Sequence, residues 1–346
     1  MNIRDYFNNF KNTDFVDAVI QVPNQYGYIN SRNYFDVRST NQNAIVFDVD
    51  KVTTSLLPQV NRGDKSATQG REHAVTSLAL KLAYFKHDDR LTGEDIQGWR
   101  APGLTDNETL ARATAEKLTD MRMVWDQTNE YMKLQAIKGI FKTPDGVVMA
   151  NTFTEFGVTQ ATVDFALGTA ATDIDAKIAG LKRTMSRNIL NGGAMGGVEI
   201  LVDPTFFDRL ISHPNMKNAY QFYVNAGKQE LRDDLSEYMK WGIMDTFEHR
   251  GVRFISYDAT FNLPGGTTEL AFAANTGTAY PIGVRDLFRG YNGPSVKLSE
   301  ANQPGQEIFM RTYIDPRDEY VEFEMEAAPL LFCTRPGALI AVSSSN

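Results

Sequence analysis

The stretch DEYVEFEMEAAPLLFCTRPGALIAV, Asp318 to Val342, decides how the rest of the chain is read. Its first part alternates, with Val321, Phe323 and Met325 on one side and Glu322, Glu324 and Glu326 on the other. That is the period of a β-strand with one packed face. The alternation breaks at Ala-Ala-Pro, and an apolar run, a Pro-Gly turn and a second apolar run follow. Three carboxylates in a row on one strand face repel one another, so they need neutralising partners before they can do acid–base chemistry.

Composition sets the frame for this strand. The chain has 346 residues, 42% hydrophobic and 23% charged, which fits a globular protein of one large or two ordinary domains. A formal net charge of −8 argues against a surface that grips a phosphate backbone throughout. The single cysteine, Cys333, lies in an apolar run. It permits no intrachain disulfide or cysteine metal site, fits a reducing compartment, and reads as a small core residue. The opening MNIRDYFNNF has no apolar h-region, and no run approaches about 18 apolar residues. Neither a secretion signal nor a membrane span is expected, and synthesis in a cytoplasm is.

Outward from the closing stretch, the chain divides by texture. Residues 1–45 are polar and aromatic with cancelling charges, and their helical signal is weak beyond Asp14 to Ile20. They are expected to form an arm ordered mainly by contacts outside its own globular core. Two strand-like runs come next, Ala44 to Val52 and Thr76 to Phe85, with Leu78, Leu80, Leu82 and Tyr84 of the second sharing a face. The long polar connection between them points to a functional or partner-contacting loop. Thr105 and Glu108 then match a capping box, and Leu110, Ala113, Leu118, Met121, Trp125, Met132, Ile137 and Phe141 continue at helical spacings. Their Met and Trp positions read as core packing. From Asp173 short helices alternate with the strands VEILVDP, VRFISYD and ELAFAA, with a helix expected at Leu231 to Met239.

Chemistry-bearing motifs are sparse. Gly192 to Gly197 lies between a helix and a strand and lacks a Gly-Lys-Ser/Thr ending, so it reads as a helix cap and turn rather than a phosphate cradle. Of the four histidines only His87 adjoins carboxylates, Asp88 and Asp89, and adjacent strand residues face opposite ways. Arg62-Gly63-Asp64 reads as turn chemistry. No Gly-x-Ser-x-Gly elbow is present, and no residue is assigned a catalytic, metal or cofactor role. The fold class is α+β.

Taken in order, the polar arm, the loop on a two-stranded stalk, the long helix from Thr105, the separate α/β stretch, and the closing EAAPLLF and RPGALIAV resemble the lambda-type capsid protein E family of tailed bacteriophages, with the Hong Kong 97 capsid fold. The resemblance implies an arm at 1–45 and an extended loop at 46–86. It implies a peripheral domain at 87–165 and 305–346, with a spine helix at about 105–141, and an axial domain at 166–304. It also implies a virion shell subunit that assembles with itself into hexamers and pentamers. Scaffold, portal and decoration proteins would be further partners, and DNA would be held by enclosure alone.

In those terms the closing strand lays its apolar face on the long helix and turns its glutamates toward solvent or an adjacent chain. Residues 50–86 carry six bases and three acids, a net of +3, and residues 88–130 carry five bases and ten acids, a net of −5. Arg62, Lys65 and Arg71 are therefore candidate inter-subunit contacts, with Glu322, Glu324 and Glu326 as candidate acceptors. Two other readings remain open at this point, an encapsulin-like compartment shell and a cytosolic α/β enzyme with its site in 166–304.

Overall fold

A computed structural model describes residues 27–53, 72–97, 106–189, 194–226, 243–317 and 319–345. After one helical turn, Tyr28–Ser31, come strands β1 (Phe35–Ser39), β2 (Ala44–Thr53), β3 (Glu72–Lys81) and β4 (Phe85–Thr92). A short helix, Gly93–Gln97, precedes the long helix Asp106–Ile137. Strands β5 (Ile140–Lys142), β6 (Val148–Asn151) and β7 (Ala161–Asp164) lead to a helix at Ile174–Asn188 and to β8 (Gly197–Val202). Helices Pro204–Ser212 and Pro214–Ala226 precede β9 (Ile243–His249), β10 (Val252–Tyr257), β11 (Thr260–Asn262), β12 (Thr268–Leu270) and β13 (Thr276–Ile282). Last come β14 (Phe288–Asn292), β15 (Phe309–Ile314), β16 (Tyr320–Ala327), β17 (Pro329–Cys333) and β18 (Ile340–Ser343).

The long helix spans 32 residues, or about 48 Å at 1.5 Å per residue. Leu118, Met121, Trp125 and Met132 on it are buried, as their spacing requires. Trp125 meets Phe85 edge to face with ring centroids 6.0 Å apart, and it borders Met325 and Ala327 of β16. The helix stops at Gly139, whose φ of +86° suits glycine. A Cβ there would come within 2.3 Å of the Phe153 ring. Thr105, the expected cap, lies outside the described residues.

A six-stranded sheet, ordered β7-β18-β13-β8-β10-β9, forms the second centre. Alternation along β8 sends Val198, Ile200 and Val202 to one face, where Ile178, Leu181, Phe206 and Leu210 of the helices cover them. Leu201 points the other way and joins Ile255, Tyr257 and Tyr280 in the core built around the long helix. Asp173 and Asp203 cap two of the covering helices through Ala176 N–H and Thr205 N–H.

Several expectations are corrected. Tyr28 and Ile29 are 1% and 0% exposed within this subunit and β1 pairs in parallel with β14, so residues 27–39 take their order from this subunit's own core rather than from contacts outside it. Two consecutive apolar side chains without periodicity gave no sign of that. The run Thr76 to Phe85 is not one strand, because β3 ends at Lys81 and β4 starts at Phe85. Between them Leu82 N–H goes to Asn43 and Ala83 N–H to Pro329, so the chain changes partners and Tyr84 ends 46% exposed. ELAFAA is strand only to Leu270. Ala271 N–H turns to the Ala259 carbonyl, and Phe272 packs under Lys138. Strand pairing also crosses the expected boundaries, since β18 at 340–343 lies between β7 and β13 of the six-stranded sheet and β14 pairs with β17. The expected helix at Leu231 to Met239 and most of Gly192 to Gly197's loop start fall outside the described residues.

Candidate assembly site

Strand β16 is the middle of a three-stranded antiparallel sheet, between β15 and β4. Its apolar face is buried as expected, with Val321, Phe323 and Met325 at 4%, 0% and 4% exposure. The glutamate face is not turned outward. Glu324 and Glu326 are 3% and 1% exposed, which corrects the expectation that they look toward solvent or a neighbour. Flanking strands and the 293–300 segment close over them.

The neutralising partners come from three places. Arg311, opposite Glu324 in the β15–β16 register, donates from Nη1 to Glu324 Oε1 at 3.1 Å and to Glu326 Oε2 at 2.6 Å. Its other nitrogens reach Glu300 and, at 2.5 Å, Ser295 Oγ. Lys297 Nζ and Lys86 Nζ approach Glu324 at 3.1 and 2.8 Å. Ser295 Oγ–H and Val296 N–H complete Glu326 at 3.0 and 2.8 Å. Arg311, Lys86 and Lys297 thus face Glu300, Glu324 and Glu326, with Lys86 shared with Asp88. Burial opposes ionisation of Glu324, but the hydrogen bonds from Lys86 and Lys297 outweigh it and hold the carboxyl below its ordinary value. Carboxylates saturated in this way are structural, with no free lone pair aimed at a substrate.

Glu322 stands apart at the rim, 3.4 Å from Arg90, whose guanidinium lies 4.5 Å over the Tyr320 ring. Asp88 and Asp89 leave β4 on opposite sides, toward Lys86 at 3.0 Å and Lys117 of the long helix at 3.1 Å. Arg62, Lys65 and Arg71 lie outside the described residues. Burial raises the Cys333 thiol to about 12, which makes it an inert core group. Sequence reasoning missed Arg311. An arginine inside the alternating run Phe309, Arg311, Tyr313 was a signal that β15 would face acid.

Beside this closed cluster, among exposed charged groups, three apolar side chains also stand out. Leu298 and Val296 are 95% and 67% exposed, and Tyr313 is 41%. On another side, a groove of about 620 Å³ opens between Tyr84, Val124, Tyr131, Val147, Phe261 and Leu263. Exposed apolar ground of this kind, beside saturated polar groups, marks a protein that meets other proteins. The α+β fold and these surfaces suit a subunit of a larger assembly.

Comparison with known proteins agrees with this. The chain is similar to a putative prophage capsid protein of E. coli CFT073 in structure, with TM-score 0.61 at 14% identity, covering 97% of this chain and 99% of that one. It also resembles a subunit of the bacteriophage PhiM1 mature capsid, with TM-score 0.53 at 15% identity over 92% and 87%. In sequence it is 31% identical to the major capsid protein of Salmonella phage Felix O1 over 95% of each chain. It is 30% identical to that of Pseudomonas phage KPP10 over 92% of each. Residues 13–344 match the family model described as phage major capsid protein E, and the chain belongs to that family. It is a structural subunit of the icosahedral head of a tailed phage, located in the virion, and not an enzyme.

Proposed function

We propose that copies of this chain assemble as hexamers and pentamers that close the head around double-stranded DNA, and that the segment holding Arg62, Lys65 and Arg71 lies across the next subunit. The observation that supports this is the β2–β3 ribbon. Its strands have ten residues each and belong to no larger sheet among the described residues. A two-stranded ribbon of about 33 Å is marginal alone and needs a surface to lie on. In a shell that surface is another copy, with residues 46–86 as its extended loop and the six-stranded sheet with its helices as the axial unit.

The acidic receiving surface is smaller than charge counting implied. Among the described side chains of 88–130, Asp126 and Glu130 are buried, Asp88, Asp89 and Glu116 are paired within the subunit and Asp95 is bonded to Thr92, which leaves Glu94 and Asp120 exposed. Exposed pairs are worth under about 1 kcal/mol each, yet repeated around a hexamer they set orientation and rate. Acidic net charge suits enclosure of DNA without adhesion, and scaffold, portal and decoration proteins are the further partners this reading admits.

The test is the pair Lys65→Glu and Arg71→Glu, with assembly followed by light scattering and microscopy across salt concentrations. Slower assembly, most marked at low salt, with an unchanged subunit melting curve is expected. Wild-type shells at every salt concentration would remove the loop's charge from the account.

A further inference from the structure

The chain between Gly27 and Phe35 is gripped by two carboxylates from different directions. From the long helix, Glu130 accepts the N–H groups of Ile29 and Asn30 at 2.9 and 2.7 Å. The same carboxylate accepts the hydroxyl of Tyr257, on β10 of the six-stranded sheet, at 2.7 Å. Asn30 Nδ2–H reaches back to the Asp126 carbonyl at 2.9 Å. From the sheet, Glu199 on β8 accepts the Tyr34 hydroxyl and, at 3.0 Å, the Tyr280 hydroxyl of β13. The Tyr34 hydroxyl lies 3.2 Å from that of Tyr28, and its ring meets Tyr280 edge-on at 5.5 Å.

Glu130 is 0% and Glu199 3% exposed, and the nearby Arg253 guanidinium comes to Glu199 only at 3.9 Å. Burying two carboxylates without close cations is costly unless their oxygens are filled by well-placed donors. The donors here are two amides of one short segment and hydroxyls from that segment and from the sheet. Gly27 is fitted to the same contact. Its φ is +90°, and a Cβ on it would fall 2.1 Å from Glu130 Cδ. The segment therefore joins the long helix to the sheet at the seam where Leu201, Ile255 and Tyr280 meet the helix core.

We propose that residues 27–35 form a strap fixing the long helix against the six-stranded sheet, with Glu130 and Glu199 as its positioning residues, so that releasing the strap lets those two units change their relative orientation. The strap is internal to one subunit and stands whether or not the loop of residues 46–86 lies on a neighbour.

The test measures orientation directly. Spin labels are placed on the full-length chain at Val124→Cys of the long helix and Arg183→Cys on the sheet's outer helix, both exposed positions, while native Cys333 is buried. Tyr34→Phe with Glu130→Gln should broaden the interlabel distance distribution roughly twofold, as release of a hinge does, and Tyr34→Phe alone should broaden it less. Phe206→Leu, in the core on the sheet's far face, should destabilise without broadening. Rescue comes from Val37→Cys with Gly290→Cys. A Cβ at 290 would stand 3.5 Å from Val37 Cβ, within disulfide range, so oxidation re-secures the strap against β14. Without the labels, oxidation should restore shell yield to the Tyr34→Phe, Glu130→Gln chain, and reduction should abolish the gain. An unchanged distribution in the double variant, equal broadening in Phe206→Leu, or no rescue would each overturn the strap.

Discussion

Glu324 and Glu326 on β16, and Glu130 and Glu199 around the strap, are buried to the same degree but by different means. The first pair is neutralised by cations, with Arg311 donating to both and two lysines adding to Glu324. The second pair is filled by neutral donors, backbone amides and tyrosine hydroxyls. Glu324 and Glu130 diverge in acidity accordingly. Lysine hydrogen bonds outweigh burial and keep Glu324 low, whereas burial prevails over the Tyr257, Ile29 and Asn30 hydrogen bonds and pushes Glu130 up. A cation-filled cluster is a fixed joint. A carboxylate held by neutral groups can be disturbed by protonation or by moving the segment that supplies the donors.

The largest expected effect removes the cation. Arg311→Met leaves two carboxylates buried with one partner set gone and should cost about 3–5 kcal/mol in denaturant unfolding of the unassembled subunit. A loss below about 1 kcal/mol would show that the lysines suffice and would erase the distinction. Glu130→Ala should cost less, about 1–3 kcal/mol, because it strands two amides and a hydroxyl and removes no close ion pair, Lys133 acting on Glu130 only through its nearby charge. A value matching Arg311→Met would mean that charge is not what separates the pairs.

The pH dependence sharpens the contrast through its sign. Glu324, lowered in the fold, contributes stability above its unfolded value and loses it as pH falls through the folded one. Glu130, raised in the fold, contributes below its unfolded value and loses that contribution as pH rises through the folded one. Urea midpoints followed from neutral pH down into the carboxylate range should therefore fall less steeply for Glu324→Gln than for the parent, and more steeply for Glu130→Gln. Slopes shifted in one direction by both would break the comparison. The smallest effect belongs to the rim, where Glu322→Gln beside Arg90 should change stability by under about 1 kcal/mol.

Much of the fold was legible in residue periodicity. The spacing of Leu118, Met121, Trp125 and Met132 identified the long helix and its buried face, and the alternation of Val321, Phe323 and Met325 identified the closing strand and its packed side. Alternation says which residues share a face, however, and not whether that face is wet. Glu324 and Glu326 are enclosed by Arg311, Lys297 and Lys86, and the last of these lies far away in sequence and reaches them only through strand pairing. The strap was illegible for a similar reason. Tyr28, Ile29 and Tyr34 follow no period, and their burial depends on Glu130 and Glu199, which a helix pattern and a strand pattern would each place without comment. The candidate contacts at Arg62, Lys65 and Arg71 rest on sequence charge and stay with the assembly experiment.

The break at Ala327-Ala328-Pro329 has a consequence in time. In passing from β16 to β18 the chain supplies the middle strand of one sheet, an edge of a second and an inner strand of the six-stranded sheet. Those strands pair with residues made far earlier, 85–92, 161–164 and 276–282 among them. Pairings this distant in sequence slow folding and leave earlier sheet edges open to other chains until they close. Synthesis of residues 320–343 thus acts as the release of a catch. Before it, a nascent subunit offers unpaired edges that invite misassociation. After it, three sheets close together and both cores become sound at once.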